Sequence, residues 1–320
     1  MLTLKQAFEI YLEKSSFAES SIEVKQRAFN LFTAMVGDLP IEEVTYGQAE
    51  DYKLELAKGR ARKAANIYMA NLKPFFVWLV RRGYLETNPF DELTLYPVSE
   101  RNKEIFTPAE IERILRIADL RMQVITLLGL CSLRRAEVLN LTTADLNFAK
   151  GYLYIRPKAD TATTWRWDIK NHQEAIVPLP EKFSLMDMTV NLHALIRQLS
   201  LEIPVFQPYL CIKPACYRYL IQLKDAGRLK WVLRNCPWQN FPRDWRHLLK
   251  RASVRSLRFQ DLRVTFATAM VKNGLAITDT SKLMRHSSIQ TTATYYVQVE
   301  EQKLFKRVSE IADKFYVNQK

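Results

Sequence analysis

Between Asn88-Pro89 and Thr107-Pro108 the helical patterning of this chain stops and restarts, and that break divides the sequence into two pieces of different character. Asn88-Pro89 ends a helix, because proline bars the helical conformation to the residue before it. Thr107-Pro108-Ala109-Glu110 starts one: it offers a hydroxyl cap, a proline at the first helical position and a glutamate placed to reach back to the cap. The polar stretch from Asp91 to Glu104, with Pro97 and Ser99, reads as an extended linker. At 320 residues the chain exceeds a common single domain. The expected organisation is therefore a first domain over 1–95, a linker over 96–105 and a second domain over 106–320.

The front piece is patterned as helix throughout. Apolar residues recur at helical spacing in Leu4, Phe8 and Leu12, again in Phe29, Phe32 and Met35, and in Tyr52, Leu54 and Leu56. Thr3 with Gln6 and Thr45 with Gln48 form capping boxes, and Gly37-Asp38-Leu39-Pro40 is a break. The most apolar helix runs over 64–82, where Pro74 should kink it or begin a new turn. This is a small helical bundle. The rear piece adds two β-prone segments, Tyr152 to Arg156 and Ala175 to Leu179, to further helices. The expected fold class is mainly α, with a small antiparallel β-sheet in the second domain.

Charge narrows the choice of partner. A net charge of +13 attracts polyanions, and duplex DNA is the strongest common candidate. No run approaches the roughly 18 apolar residues of a membrane span. The opening MLTLKQAFEIYLEKS lacks the basic n-region and cleavage site of a signal peptide, so a cytoplasmic, nucleoid-associated protein without membrane contact is expected. Cys131, Cys211, Cys216 and Cys236 are too irregular for a disulfide framework. The last three, with His247, lack the paired spacing of a zinc site, so no metal is expected.

Three distant segments hold groups suited to phosphoryl transfer. Cys131-Ser132-Leu133-Arg134-Arg135-Ala136-Glu137-Val138 follows an apolar helix. Phe259-Gln260-Asp261-Leu262-Arg263-Val264 sets charges among apolar residues, which is costly unless they are paired or functional. Leu283-Met284-Arg285-His286 leads through a Ser/Thr-rich turn to Tyr295-Tyr296. Taken singly, each is read more simply as structure: ion-pairing arginines, a capping histidine, a packed tyrosine.

Together they resemble the tyrosine recombinase, or phage integrase, family. Its pattern is an Arg with Glu three residues later, His-x-x-Arg, and Leu-Gly-His followed by Tyr nine residues after the His. Arg134 and Glu137, Arg263, and His286 and Tyr295 fall on those positions. The front helices, ending in Phe75-Phe76-Val77-Trp78-Leu79 and Thr87-Asn88-Pro89, resemble the family's core-binding domain. The resemblance implies a site-specific DNA recombinase with Tyr295 as nucleophile, linked to a 3′ phosphate, and Arg134, Arg263 and His286 on the nonbridging oxygens. A phenol ordinarily deprotonates near pH ~10, so cations must favour its charged form. Glu137 and Asp261 are expected to orient the arginines. The family's hairpin lysine lies seven residues before Val-Pro-Leu, which matches Lys170 before Val177-Pro178-Leu179; Lys158 and Arg166 compete for the role. Neither cofactor nor ATP is implied, since the phosphotyrosine retains the bond energy.

Three positions depart from the pattern. Gln260 stands where the family has the His of His-x-x-Arg, and an amide can hydrogen-bond but cannot take a proton. Ser132 and Arg285 stand where glycines are common. For gripping DNA, Lys58, Arg60, Arg62 and Lys63 in front and Arg243, Arg246, Lys250 and Arg251 behind are the candidates, the latter interleaved with Trp231, Trp238 and Trp245. Family likeness implies a C-shaped clamp on double-stranded DNA, and a homotetramer in which the amphipathic stretch Gln302 to Val317 docks on a neighbour. Integration or excision of a mobile element is the expected role. The alternatives are resolution of replicon dimers, a type IB topoisomerase, or a DNA-binding protein that keeps the fold without catalysis.

Overall fold

The computed structural model describes residues 2–98, 104–169, 173–286 and 288. The chain divides into two compact units, Met1–Arg101 and Asn102–Lys320. In the first, four helices, α1 (Leu4–Glu13), α2 (Glu19–Val36), α3 (Tyr46–Lys58) and α4 (Arg62–Arg81), enclose a core of their own. Both threonine capping boxes form, so the orphan amides at the starts of α1 and α3 are satisfied by Thr3 and Thr45. Aromatic rings dominate the core: Phe8 stacks on Phe29 at 3.9 Å, and Phe32, Phe76 and Phe90 meet at edges. Leu54 and Met35 face outward, because the buried stripes run through Tyr52 and Leu56 and through Phe29 and Phe32.

Two expectations change here. Helix α4 continues through Pro74 without a break, since the apolar stripe Leu72, Phe75, Phe76 and Leu79 is buried on both sides of it. The polar stretch after Pro89 is not extended linker from its start. Phe90 and Leu93 are buried, and the Asn66 side chain holds the backbone of Tyr96 at both N and O, 2.9 Å each.

The second unit opens with α5 (Pro108–Ile117), begun by the Thr107 capping box, followed by the mostly apolar α6 (Leu120–Leu130) and the short α7 (Arg135–Leu139). A three-stranded antiparallel sheet follows, β1 (Leu146–Asn147), β2 (Tyr152–Ile155) and β3 (Ala175–Pro178), in the order β1-β2-β3 with Leu153 opposite Val177. A separate hairpin, β4 (Lys182–Ser184) and β5 (Thr189–Asn191), leads into α8 (Leu192–Glu202). The remaining described helices are α9 (Pro214–Asp225), α10 (Trp231–Asn235), α11 (Phe241–Arg251), α12 (Gln260–Lys272) and α13 (Ile277–Leu283).

The connection between β2 and β3 is packed into the core over part of its described length. Trp165 is fully buried, stacked on Tyr209 at 4.1 Å with its indole N–H on Asn140, and Lys158 pairs with Trp167 across a bridge. Among the described residues no helix is long and apolar enough to cross a membrane.

Candidate active site

Two helix ends meet to make the site. At the end of α6, Ser132 is left-handed at φ 65°, its N–H donates to the Gly129 carbonyl at 3.2 Å, and Leu133 N–H reaches Leu128 at 3.4 Å. At the end of α13, Arg285 is left-handed at φ 51°, its N–H reaches Lys282 at 2.9 Å, and His286 N–H reaches Ser281 at 3.2 Å. Both are Schellman ends, whose left-handed position glycine usually fills because a β-carbon there costs roughly 1–2 kcal/mol. These are the two positions where the family resemblance led us to expect glycine. The turn is built without it.

The ends are tied to each other. Ser132 Oγ donates to the Leu283 carbonyl at 3.1 Å. Arg134, which begins α7 just past the first turn, donates from Nη2 to the Arg285 carbonyl at 3.1 Å. Glu137 fixes Arg134 twice, accepting from its backbone N–H at 2.7 Å and from Nη1 at 2.8 Å, so the expected orienting role of Glu137 has a geometric basis. Arg263 projects from the first turns of α12 into the core, only 2% exposed, and Nη1 donates to the Ser132 carbonyl. That approach depends on Gly129: a β-carbon there would lie 2.8 Å from Leu262 and 2.9 Å from Phe259, both at the start of α12. The apolar α6 thus seats α12 closely enough for Arg263 to reach the turn that carries Arg134.

Arg134 and Gln260 line one open cavity of about 640 Å³ together with Arg135, Arg246 and Arg258. Gln260 is exposed there, at the first position of α12. Arg135 was not anticipated as a lining residue, although its place beside Arg134 is the signal that could have found it. His286 follows the α13 turn, half-buried, one residue beyond the carbonyl that Arg134 holds. Tyr295 and Lys170 lie outside the described residues, as does the Gln302 to Val317 stretch.

Asp261 requires a correction. Its expected partner was Arg263, but its carboxylate accepts from the Arg258 N–H at 2.8 Å and pairs with Arg258 Nη2 at 2.9 Å, which pushes the Arg258 guanidinium above its ordinary range. Unsatisfied amides at a helix start attract a carboxylate backward along the chain, away from the next turn. Of the lysine competitors, Lys158 is buried on both oxygens of Asp145, at 2.8 and 2.6 Å, and Arg166 pairs at the surface with Asp168.

The basic candidates divide similarly. Arg243, Arg246, Lys250 and Arg251 lie on the exposed face of α11, opposite buried Phe241, Trp245, Leu248 and Leu249. Trp238 and Trp245 are core residues, their indole N–H groups held by Asp244 and the Leu257 carbonyl. In the first unit Lys58, Arg60, Arg62 and Lys63 are all exposed around the α3–α4 turn; Lys58 pairs with Glu55, and Arg60 and Arg62 lie over the rings of Tyr68 and Tyr96.

A mainly helical unit with small antiparallel sheets and arginines gathered at a pair of helix ends has the architecture of a tyrosine recombinase catalytic domain. Residues 228–303 match the model described as the phage integrase family. Over 310 residues the chain is 21% identical to a tyrosine recombinase of Thermosipho africanus, spanning 92% of this chain and 94% of that protein. It is 24% identical over 276 residues to a XerC-like tyrosine recombinase of Caldanaerobacter subterraneus subsp. tengcongensis, spanning 81% and 68%. The Tn1549 transposon integrase in complex with transposon right end DNA superposes with a TM-score of 0.72 at 16% identity, over 97% of this chain and 100% of that one. A lambda integrase dimer bound to a COC′ core site gives 0.65 at 13% identity, over 91% and 97%. Residues 228–303 thus match the phage integrase family, and nearly the whole chain is similar to tyrosine recombinases.

Proposed function

We propose that this chain is a site-specific DNA recombinase that integrates or excises a mobile element, cleaving DNA through a 3′-phosphotyrosyl link on Tyr295. One observation carries the reading: Arg134 and Arg263, 129 residues apart in sequence, are held at the same pair of helix ends that presents His286. Planar guanidinium groups that stay charged at all working pH values suit the nonbridging oxygens of a phosphodiester. In the reaction, the Tyr295 phenolate attacks phosphorus, the P–O bond to the 5′ oxygen breaks, and Lys170 supplies the proton that the departing oxygen takes up. Attack by a 5′ hydroxyl from another strand reverses each step and releases the tyrosine. Neither step consumes a nucleotide. Gln260, beside Arg134 in the cavity, hydrogen-bonds the phosphate or the phenol and leaves proton acceptance to another group. Each guanidinium removed from such a site costs on the order of 10²–10³-fold in rate.

The basic faces of α11 and of the α3–α4 turn are assigned to backbone phosphates, and Glu137 to holding Arg134. The mobile-element role is supported by the likeness to a transposon integrase that was solved with transposon end DNA. We assign the working assembly as a tetramer on two DNA sites, at the nucleoid. The test is a suicide substrate, in which cleavage traps the enzyme on the DNA. A covalent adduct is expected with the natural chain and none with Tyr295→Phe. An adduct that survives that substitution removes Tyr295 as nucleophile, and no adduct with the natural chain favours a DNA-binding protein without catalysis.

A further inference from the structure

Arg285 is retained in a left-handed turn that glycine would fill without strain, and its side chain does not lie at the surface. Its side chain is 15% exposed, and Nη2 donates at 2.7 Å to Glu137 Oε2 and at 3.1 Å to the Ser132 carbonyl. Each acceptor belongs to one of the two phosphate arginines. Glu137 holds Arg134 through its other oxygen, and the Ser132 carbonyl also accepts from Arg263. The Arg285 carbonyl in turn accepts from Arg134 Nη2. One residue is therefore bonded, through side chain and backbone, to what fixes both arginines.

We propose that Arg285 is a positioning residue for the scissile phosphate, locking Arg134 to Arg263 and adding a third positive charge beside the anion they bind. The inference rests on the recombinase reading given above. Arg134 and Arg285 share the single carboxylate of Glu137, which is 3% exposed, and Arg263 reaches the neighbouring Ser132 carbonyl, so the cluster carries excess positive charge in a poorly solvated place. Burial pulls the Arg285 guanidinium below its ordinary range, Glu137 opposes this, and the charge of Arg134 adds to the lowering. Arg285 Nε and Nη1 are buried without a hydrogen-bond partner among the described residues. An arrangement of this kind is unfavourable in the free protein and is relieved when an anion enters. A residue kept only to stabilise the fold would be better replaced by glycine.

Arg285→Gln, Arg285→Lys and Arg285→Gly in the full chain separate these roles. Cleavage of a suicide substrate at saturating DNA is read beside affinity for the site and the melting temperature. We expect Arg285→Gln to cleave about 10- to 100-fold more slowly with affinity changed less than about 2-fold. Arg285→Lys, which keeps the charge, should recover most of that loss. Arg285→Gly should melt no lower than the natural chain yet cleave as slowly as the glutamine variant, so stability and rate part company. A glutamine variant at the natural rate, a lysine variant no better than glutamine, or rates that fall only in step with melting temperature would each overturn the proposal. If the natural chain forms no adduct, the recombinase reading fails and this inference with it; a normal adduct from an indifferent Arg285→Gln removes this inference alone.

Discussion

Lys158 and Lys170 are the same residue type within one connection, and what separates them is the company that Lys158 keeps. Asp145 is fully buried and accepts from Thr142 N–H and Oγ1, from Arg156 Nε and from Lys158 on both oxygens. A lysine so engaged anchors the connection between β2 and β3 and is poorly placed to follow a leaving group. Lys158→Met should lower stability by about 2–4 kcal/mol, because it strips one cation from a buried carboxylate that Arg156 still partly neutralises. Urea unfolding measures that loss, and the folded fraction should cleave within a few-fold of the natural rate. Lys170→Ala should leave the unfolding midpoint in place and depress cleavage. The opposite outcome, a stable but inactive Lys158→Met, would give the proton-donor role to Lys158. At this scale residue type and spacing singled out Arg134, Arg263 and His286, and the structure places all three at one pair of helix ends. The partner of Asp261 was not legible: Arg258 and Arg263 flank it at similar separations, and only the helix start decides between them.

Among elements, α6 and α12 carry the argument, and Gly129 is where they touch. Alanine there would thrust a methyl group against Leu262 and Phe259, and the Phe259 ring cannot retreat because it packs edge-on against Phe241 and Trp245 at 5.2 and 5.4 Å. Overpacking of this kind costs about 1–3 kcal/mol, partly offset by alanine's better helix propensity. Gly129→Ala should therefore melt a few degrees lower, and it should lose more in cleavage than in stability, since shifting α12 withdraws Arg263 from Ser132. Thermal melting and single-turnover cleavage on the same preparation check this; an unchanged rate would mean that α12 moves without consequence for the site. Capped helices and the apolar strands β2 and β3 could be read directly from the sequence. The hairpin of β4 and β5 could not, because three-residue strands such as Lys182-Phe183-Ser184 carry too little alternation, and its turn contains neither glycine nor proline. Pro74 does not end α4 for a related reason: the burial of its neighbours outweighs the local penalty of proline.

For the whole molecule, the net charge of +13 announced a polyanion partner, but a total does not say which cations remain available to it. The structure sorts them. Arg255 is bound to Glu110, whose carboxyl it holds well down at about 2, and Arg258 is bound to Asp261, so two of the basic residues in the sequence stretch around α11 serve the fold. Lys250 stands exposed on the outer face of α11 with the apolar face turned inward, and Arg243, two turns earlier, pairs among the described residues with the partly exposed Asp244. Cations of the second kind meet phosphates and release counterions, whereas cations of the first kind do not. Replacing Arg243 and Lys250 together by alanine should weaken binding to specific and unrelated duplexes alike. The slope of log affinity against log salt should become shallower by about 2, roughly one per lost phosphate contact. Cleavage at saturating DNA should stay at the natural rate, because neither residue is bonded to Arg134, Arg263 or Arg285. Arg255→Ala should do the reverse, loosening the tie between α5 and the segment after α11 and lowering the melting temperature while the salt slope stays as it was. Binding titrations across a salt series on both variants decide it: equal slopes for natural and doubly substituted chains would mean that α11 does not face the DNA backbone, and would move the electrostatic grip to other surfaces of the chain.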